Sequence, residues 1–183
     1  MRAITRLMFI LATVAAVACR QGERSNESRT DSTVAVQTPP AAKPCLDGAA
    51  ILEHDGVGAL RIGKTVDSVR AACQVVRDTV GTNEGQPERR IAVAIGVDTV
   101  TAVVVGDSIW RIHVRTPGIR TADSVGVGTT AARLRGEPGA RVISGEGKNF
   151  IVVPSRCGFS FRIGGTTIDE VLVLGCQRSV SAR

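Results

Sequence analysis

The stretch LRIGKTVDSVR (residues 60–70) recurs in altered form as VGVGTTAARLR (residues 125–135). Both copies keep the glycine, the threonine two positions after it and the final arginine, and three further positions are apolar in both. Alternating apolar residues lead into the glycine, which permits a tight bend. Thr65 and Thr130 follow at positions where their side chains can cap a first helical turn. Each copy therefore predicts a strand that turns into a short helix.

Strand-like stretches rich in β-branched residues follow each copy. They cover residues 91–95, 99–105 and 109–115 after the first copy, and 141–144, 150–153, 158–163 and 171–176 after the second. Gly106-Asp107 is predicted to form a two-residue hairpin turn. The sequence thus predicts an α+β fold. Its antiparallel sheet would be built from two short-helix-plus-meander repeats, at about residues 45–115 and 121–178.

The two copies resemble the modules of the β-lactamase inhibitory protein family and of the SmpA/OmlA lipoprotein family. The matching residues are IGKT (residues 62–65) with Val69, and VGTT (residues 127–130) with Leu134 and Gly136. The resemblance implies tandem α+β repeats, a curved antiparallel sheet and a role in protein binding.

The first 19 residues, MRAITRLMFILATVAAVAC, have the anatomy of an export signal. Arg2 and Arg6 form a positive region, and an apolar run too short to span a bilayer comfortably follows. AVAC (residues 16–19) resembles the lipobox of bacterial lipoproteins, which implies a palmitate-type lipid on Cys19 after removal of residues 1–18. Plain cleavage at an A-x-A site and an uncleaved membrane anchor are the alternatives.

The expected location is the cell envelope. Arg20 stands where an aspartate would resemble an inner-membrane retention signal, so the outer membrane facing the periplasm is favoured. Residues 19–44, rich in Ser, Thr, Pro, Ala and charged residues, are predicted to be a flexible linker that buries too little apolar surface to fold. The globular domain is expected at residues 45–178, and residues 179–183 form a tail.

Four cysteines remain in the predicted domain, an even number that favours disulfides in an exported chain. If residues 157–163 and 171–176 form a hairpin in which Phe159 faces Leu174 and Phe161 faces Leu172, then Cys157 faces Cys176. That pairing leaves Cys45 for Cys73. Metal binding and a redox pair are the alternatives, although the spacings match no zinc template and contain no C-x-x-C.

Composition argues against nucleic-acid binding and provides no catalytic signature. The net charge is +6, two units of which, on Arg2 and Arg6, belong to the signal, and only 3% of residues are aromatic. Base-stacking platforms need more aromatic residues than that. His54, in EHDG (residues 53–56), is expected in a solvated turn, with metal ligation as the alternative. We therefore expect no enzymatic activity, cofactor or metal site.

The stretch IWRIHVR (residues 109–115) alternates strictly. Period two places Trp110, Ile112 and Val114 on a core face, and Arg111, His113 and Arg115 on the other. The second face is a short basic stripe, a candidate contact for an anionic partner such as phosphate head groups or acidic glycan. The alternative is the solvated face of an antiparallel sheet.

Together these features predict a non-enzymatic, lipid-anchored envelope protein that binds another protein or an envelope component. A small-ligand-binding lipoprotein is the alternative and requires a pocket of about 300–1,000 Å³. A hydrolase whose site is assembled only by folding comes third. The sequence determines neither the partner nor the oligomeric state.

Overall fold

The computed structural model describes Cys45 and residues 51–176. The predicted signal, the lipidation site Cys19, the linker and the tail lie outside these residues. Three short strands open the described chain, followed by a helix and four strands, and then by a second helix and four more strands. Their bounds are β1 Leu52–Glu53, β2 Gly56–Val57, β3 Leu60–Arg61, α1 Val66–Ala72, β4 Val75–Asn83, β5 Gln86–Ile95, β6 Asp98–Val105, β7 Ser108–Val114, α2 Ala131–Arg135, β8 Arg141–Gly145, β9 Lys148–Val152, β10 Phe159–Gly164 and β11 Thr167–Val173.

The strands form two antiparallel sheets. The small sheet has the order β1-β2-β3, and the large one β4-β5-β6-β7-β11-β10-β9-β8. The last strands of the two four-stranded runs, β7 and β11, pair with each other in the middle of the large sheet. The α+β class and the antiparallel sheet are confirmed. Gly106-Asp107 does connect β6 to β7, and Glu146-Gly147 turns β8 into β9.

Each short helix buries one stripe of side chains in the core. Val66 and Val69 of α1 are buried, as are Ala131 and Leu134 of α2. They join a single cluster with the inward-facing residues of the sheet. Thr65 caps α1 as predicted, since its Oγ1 accepts from the backbone N–H of Ser68 at 3.2 Å. The corresponding prediction for Thr130 is wrong, because its side chain makes no capping hydrogen bond.

Both predicted disulfides are confirmed. Cys45 is bonded to Cys73 directly after α1, and Cys157 to Cys176 with a Cα–Cα distance of 5.2 Å. The predicted hairpin register is wrong, however. Phe159 pairs with Val173 and Phe161 with Val171, so the strands are displaced by one residue. The cysteines lie just beyond the paired strands, where the bond tolerates the displaced register.

The displaced register changes which side chains of β11 enter the core. Because side chains alternate along a strand, a one-residue slip moves a whole set to the other face of the sheet. Val171 and Val173 are fully buried with Phe161, whereas Leu172 and Leu174 lie on the opposite face. A β-bulge between Arg162 and Ile163 shifts the register again near the turn, and such a bulge has no clear sequence signal.

The placement of Trp110 on the core face is also wrong. Its side chain is 53% exposed, while Ile109, Ile112 and Val114 are buried. The register between β6 and β7 shifts here: Val103 pairs with Arg111 and Val104 with Ile109. Trp110 is therefore the extra residue of a β-bulge, which interrupts the alternation assumed from the sequence.

Strand β4 was not predicted. It forms one edge of the large sheet, and nearly all of its residues are exposed. Its sequence, VVRDTVGTN, contains few apolar residues at period two, because an edge strand with one face in solvent has little to bury. Its pairing with β5 nevertheless runs from Val75 to Asn83.

Candidate functional site

The basic stripe lies on the sheet face opposite the core. Ile112 and Val114 of β7 are fully buried in the core, and the side chains that alternate with them, Arg111, His113 and Arg115, project from the other face. Their faces were thus predicted correctly even though Trp110 was not. Their surroundings differ from the sequence-based picture of a simple solvated stripe.

A buried carboxylate, Glu170 of β11, sits among the cations of this face. Its side chain is only 4% exposed. It accepts hydrogen bonds from Arg115 Nε at 2.6 Å and from His113 Nδ1 at 2.9 Å, and it forms an ion pair with Arg162 Nη1 at 2.8 Å. Because an ionised carboxylate only accepts hydrogen bonds, His113 donates through Nδ1. Burying a charge is unfavourable unless it is paired, and here three partners meet that need.

The pKa of Glu170 reflects the balance of these effects. Burial raises the pKa, but the hydrogen bonds from His113 and Arg115 and their charges outweigh it and lower the pKa to about 2. Glu170 is therefore an anion at neutral pH, and it fixes the orientation of three basic side chains. Sequence reasoning missed Glu170 because TIDEVLV (residues 167–173) reads as an alternating strand in which either acid could face solvent.

The pair formed by His113 and Glu170 resembles part of a hydrolytic triad, but it lacks a nucleophile at hydrogen-bonding distance. His113 Nε2 is buried and has no hydrogen-bond partner among the described residues. Ser160 is on the same face but pairs with Leu172, which itself pairs with His113. Two strand spacings correspond to about 10 Å, whereas nucleophile and base must approach to about 3 Å.

The face that carries these residues is curved into a trough. A cavity of about 390 Å³ is lined both by Asn83 of edge strand β4 and by Ile143 of the opposite edge strand, β8. Eight strands laid flat would separate the two edges by about 34 Å. The sheet must therefore curl so that both edges approach the same cavity, which we call the trough.

The trough is amphipathic. Its charged lining is mainly basic and includes Arg90, Arg111, His113, Arg115 and Lys148, with Glu170 and Glu146 as its acids. Its apolar lining consists of Ile143, Phe150, Leu172 and Leu174. Leu172 and Leu174 are present only because of the displaced β10–β11 register. Such a surface suits a ligand that is both acidic and apolar.

The other candidate site considered from the sequence is the turn that contains His54. His54 is exposed in the turn between β1 and β2, as predicted. The acids on either side of it, Glu53 and Asp55, both bind Arg61 Nη1, at 2.5 and 2.6 Å. Within the part of the chain that the structure describes, no three His, Cys, Asp or Glu side chains form a group suited to holding a metal ion.

Across these same residues we also find no helix whose length and apolar character would let it cross a membrane.

Comparison with known proteins identifies a shared fold but no family. No family model matches the chain, and no curated protein does either. Among solved structures, the chain is similar to the crystal structure of the uncharacterized protein yfeY from Escherichia coli, with a TM-score of 0.57 and 16% sequence identity. The similarity covers 68% of this chain and 99% of that one. At this level of identity, the likeness concerns the fold alone.

Proposed function

We propose that this protein is a non-enzymatic binding module of the bacterial cell envelope, tethered to the membrane by a lipid on Cys19. The trough is its binding face, and its partner is an envelope protein that presents a segment with both acidic and apolar side chains. The observation that carries the proposal is the amphipathic lining of the trough, in which basic side chains held by Glu170 lie beside half-buried Leu172 and exposed Leu174.

We further propose that the domain consists of two structural repeats. The two glycine segments make corresponding hydrogen bonds: Gly63 N–H donates to the carbonyl of Ile109, and Gly128 N–H to that of Ile168, both at 2.8 Å. In return, Ile109 N–H donates to the carbonyl of Lys64, and Ile168 N–H donates to that of Thr129, again at 2.8 Å. Sheets of such repeats, joined at β7 and β11, give one continuous curved surface suited to binding an extended partner.

A photo-crosslinking amino acid placed in the trough tests the binding proposal. Incorporated at position 172 in living cells, it should yield one discrete crosslinked protein, identified by mass spectrometry. The matched control is position 97, a fully exposed turn residue away from the trough. Lys148→Glu should abolish the crosslink at position 172 by reversing one charge. Equal crosslinking from position 97, or none from position 172, would argue against a protein partner in the trough.

The lipid anchor is tested separately. Cells fed radiolabelled palmitate should label the wild-type protein, and Cys19→Ser should remove the label. Ordinary cleavage would leave an unmodified Cys19 at the N-terminus, which mass spectrometry of the purified protein distinguishes. An unlabelled wild-type chain would overturn the anchor proposal without affecting the binding face.

A small-ligand-binding lipoprotein is the second candidate, favoured by one specific observation. The trough volume of about 390 Å³ falls within the range of known ligand sites. In that case, crosslinking at position 172 would capture no protein, while mass spectrometry of the gently purified protein under native conditions would reveal a bound small molecule.

A further inference from the structure

We propose that a second cavity, beside the trough, binds a phosphoryl group. This cavity, which we call the arginine pocket, has a volume of about 250 Å³. Its polar lining consists of Arg77, Arg90, Arg115, His113, Thr79 and Thr101. The arginine pocket shares Arg90, His113 and Arg115 with the trough. The inference goes beyond the proposed function because it also depends on Arg77, Thr79 and Thr101, which line this cavity and not the trough.

The position of the arginine pocket follows from the strand register. Arg77 of β4 pairs with Ala92 of β5, which pairs with Thr101 of β6, which in turn pairs with His113 of β7. These four positions form a continuous row across the sheet on the face opposite the core. Ala92 and Thr101 are the small residues in the middle of the row. They leave space between Arg77 at one end of the row and His113 at the other.

The charge of the arginine pocket is uncompensated within its lining. Three guanidinium groups line the cavity, and no carboxylate does. Neighbouring acids occupy only part of this donor capacity: Arg90 uses Nε for Glu88, and Arg115 uses Nε for Glu170. Their terminal nitrogens make no hydrogen bond among the described residues. The side chain of Arg77 makes neither a hydrogen bond nor a salt bridge with the described residues.

A phosphoryl group fits this donor set better than a single carboxylate. Guanidinium groups bind oxyanions through pairs of parallel N–H bonds, so three of them can engage the three terminal oxygens of a phosphate. A phosphoryl group carries a charge of about −1.5 to −2 at neutral pH, which offsets more of the three positive charges than one carboxylate does. The Thr101 hydroxyl adds a neutral donor, whereas the Thr79 hydroxyl donates to the carbonyl of Arg90 at 3.4 Å.

This phosphoryl group could belong to a lipid head group or to a small soluble phosphate. The two sources share the same recognition chemistry, so the experiment separates them. The processed full-length protein, purified in a non-ionic detergent, is titrated by calorimetry with inorganic phosphate and with water-soluble dihexanoyl phosphatidic acid. Dihexanoyl phosphatidylcholine and sodium chloride at matched ionic strength are the ligand controls.

We expect saturable binding of inorganic phosphate, of phosphatidic acid, or of both. Comparable affinities identify the phosphoryl group alone as the ligand, and a tenfold or greater preference for phosphatidic acid identifies a head group. Arg77→Gln should weaken binding at least tenfold, and Ala92→Leu should do so by filling the cavity without changing charge. Arg135→Gln removes an equally exposed arginine of α2, outside the cavity, and should change affinity less than twofold.

Two results would overturn the proposal. One is the absence of saturable binding of either phosphate ligand at millimolar concentration. The other is an equal loss of affinity in Arg77→Gln and Arg135→Gln, which would mean that general positive charge rather than the arginine pocket attracts the anion. Circular dichroism of each variant establishes that it is folded. Arg77→Gln tests the charge of the arginine pocket, and Ala92→Leu tests its volume independently.

Discussion

Glu170 illustrates how a single residue organises the basic face of the large sheet. It occupies a strand position that the sequence leaves ambiguous, and folding buries it among Arg115, His113 and Arg162. Its carboxylate fixes the side chains of these residues while remaining almost inaccessible itself. Arg115 uses only Nε for this contact, and its side chain is exposed.

Replacing Glu170 should destabilise the protein in a pH-dependent way. Its folded-state pKa of about 2 lies below the ordinary value of 4.5, so ionised Glu170 stabilises the native state at pH values above about 5. That stabilisation is lost as the pH falls from 4.5 through 2. We expect Glu170→Gln to lower the free energy of unfolding by about 3 kcal/mol at pH 7.

Urea denaturation at pH 7, 5, 3.5 and 2 measures this effect, and the difference between wild type and variant should shrink toward the lowest pH. Glu84→Gln is the control, because Glu84 is an exposed turn residue without a salt bridge among the described residues. A difference that stays constant down to pH 2 would show that Glu170 does not stabilise the fold as a paired anion.

Trp110 provides an optical test of the β-bulge in β7. It is the only tryptophan in the chain and is 53% exposed, so its fluorescence should be red-shifted and readily quenched by acrylamide. Trp110→Ala should cost less than about 1 kcal/mol, whereas Ile112→Ala, at a fully buried position of the same strand, should cost about 2–5 kcal/mol. Blue-shifted fluorescence that acrylamide does not quench would instead place Trp110 on the core face, as regular alternation predicts.

At the scale of elements, the two short helices start from similar sequences but are capped differently. Only Thr65 has a side-chain oxygen that accepts from a backbone N–H of the first turn. Thr65→Ala should therefore lower the free energy of unfolding by about 1 kcal/mol. Thr130→Ala should cost less, and thermal or urea unfolding of the two variants makes the comparison. Equal losses would indicate that both threonines cap in solution.

The strands also show where the alternation of apolar and polar residues was a reliable predictor. Alternation predicted seven of the eight strands of the large sheet and the turn at Gly106-Asp107, because half-buried strands must alternate. It failed for β4, whose exposed edge position provides no apolar period. It failed again wherever a bulge intervened, at Trp110 and between Arg162 and Ile163, since one inserted residue breaks the alternation between the residues on its two sides.

At the scale of the whole molecule, the two disulfides tie the ends of the described chain to its body. Cys45–Cys73 closes a loop of sequence separation 28, and Cys157–Cys176 one of 19. The entropy of loop closure predicts that each contributes about 3 kcal/mol. We expect the double variants Cys45→Ser/Cys73→Ser and Cys157→Ser/Cys176→Ser to lose comparable stability in urea denaturation. Reduction of the denatured protein should then release two fewer thiols in each double variant than in the wild type.

The sequence by itself determined the α+β class, the antiparallel sheet, both disulfide pairs and the basic stripe of Arg111, His113 and Arg115. These features depend on local periodicity and on the number of cysteines, which are properties of the chain. The tertiary structure alone decided the β10–β11 register, and with it which leucines face the trough. It also placed Glu170 under the basic stripe and brought Arg77 into the arginine pocket. The reason is physical: bulges and sheet curvature arise from packing between segments far apart in sequence, and no local pattern encodes them.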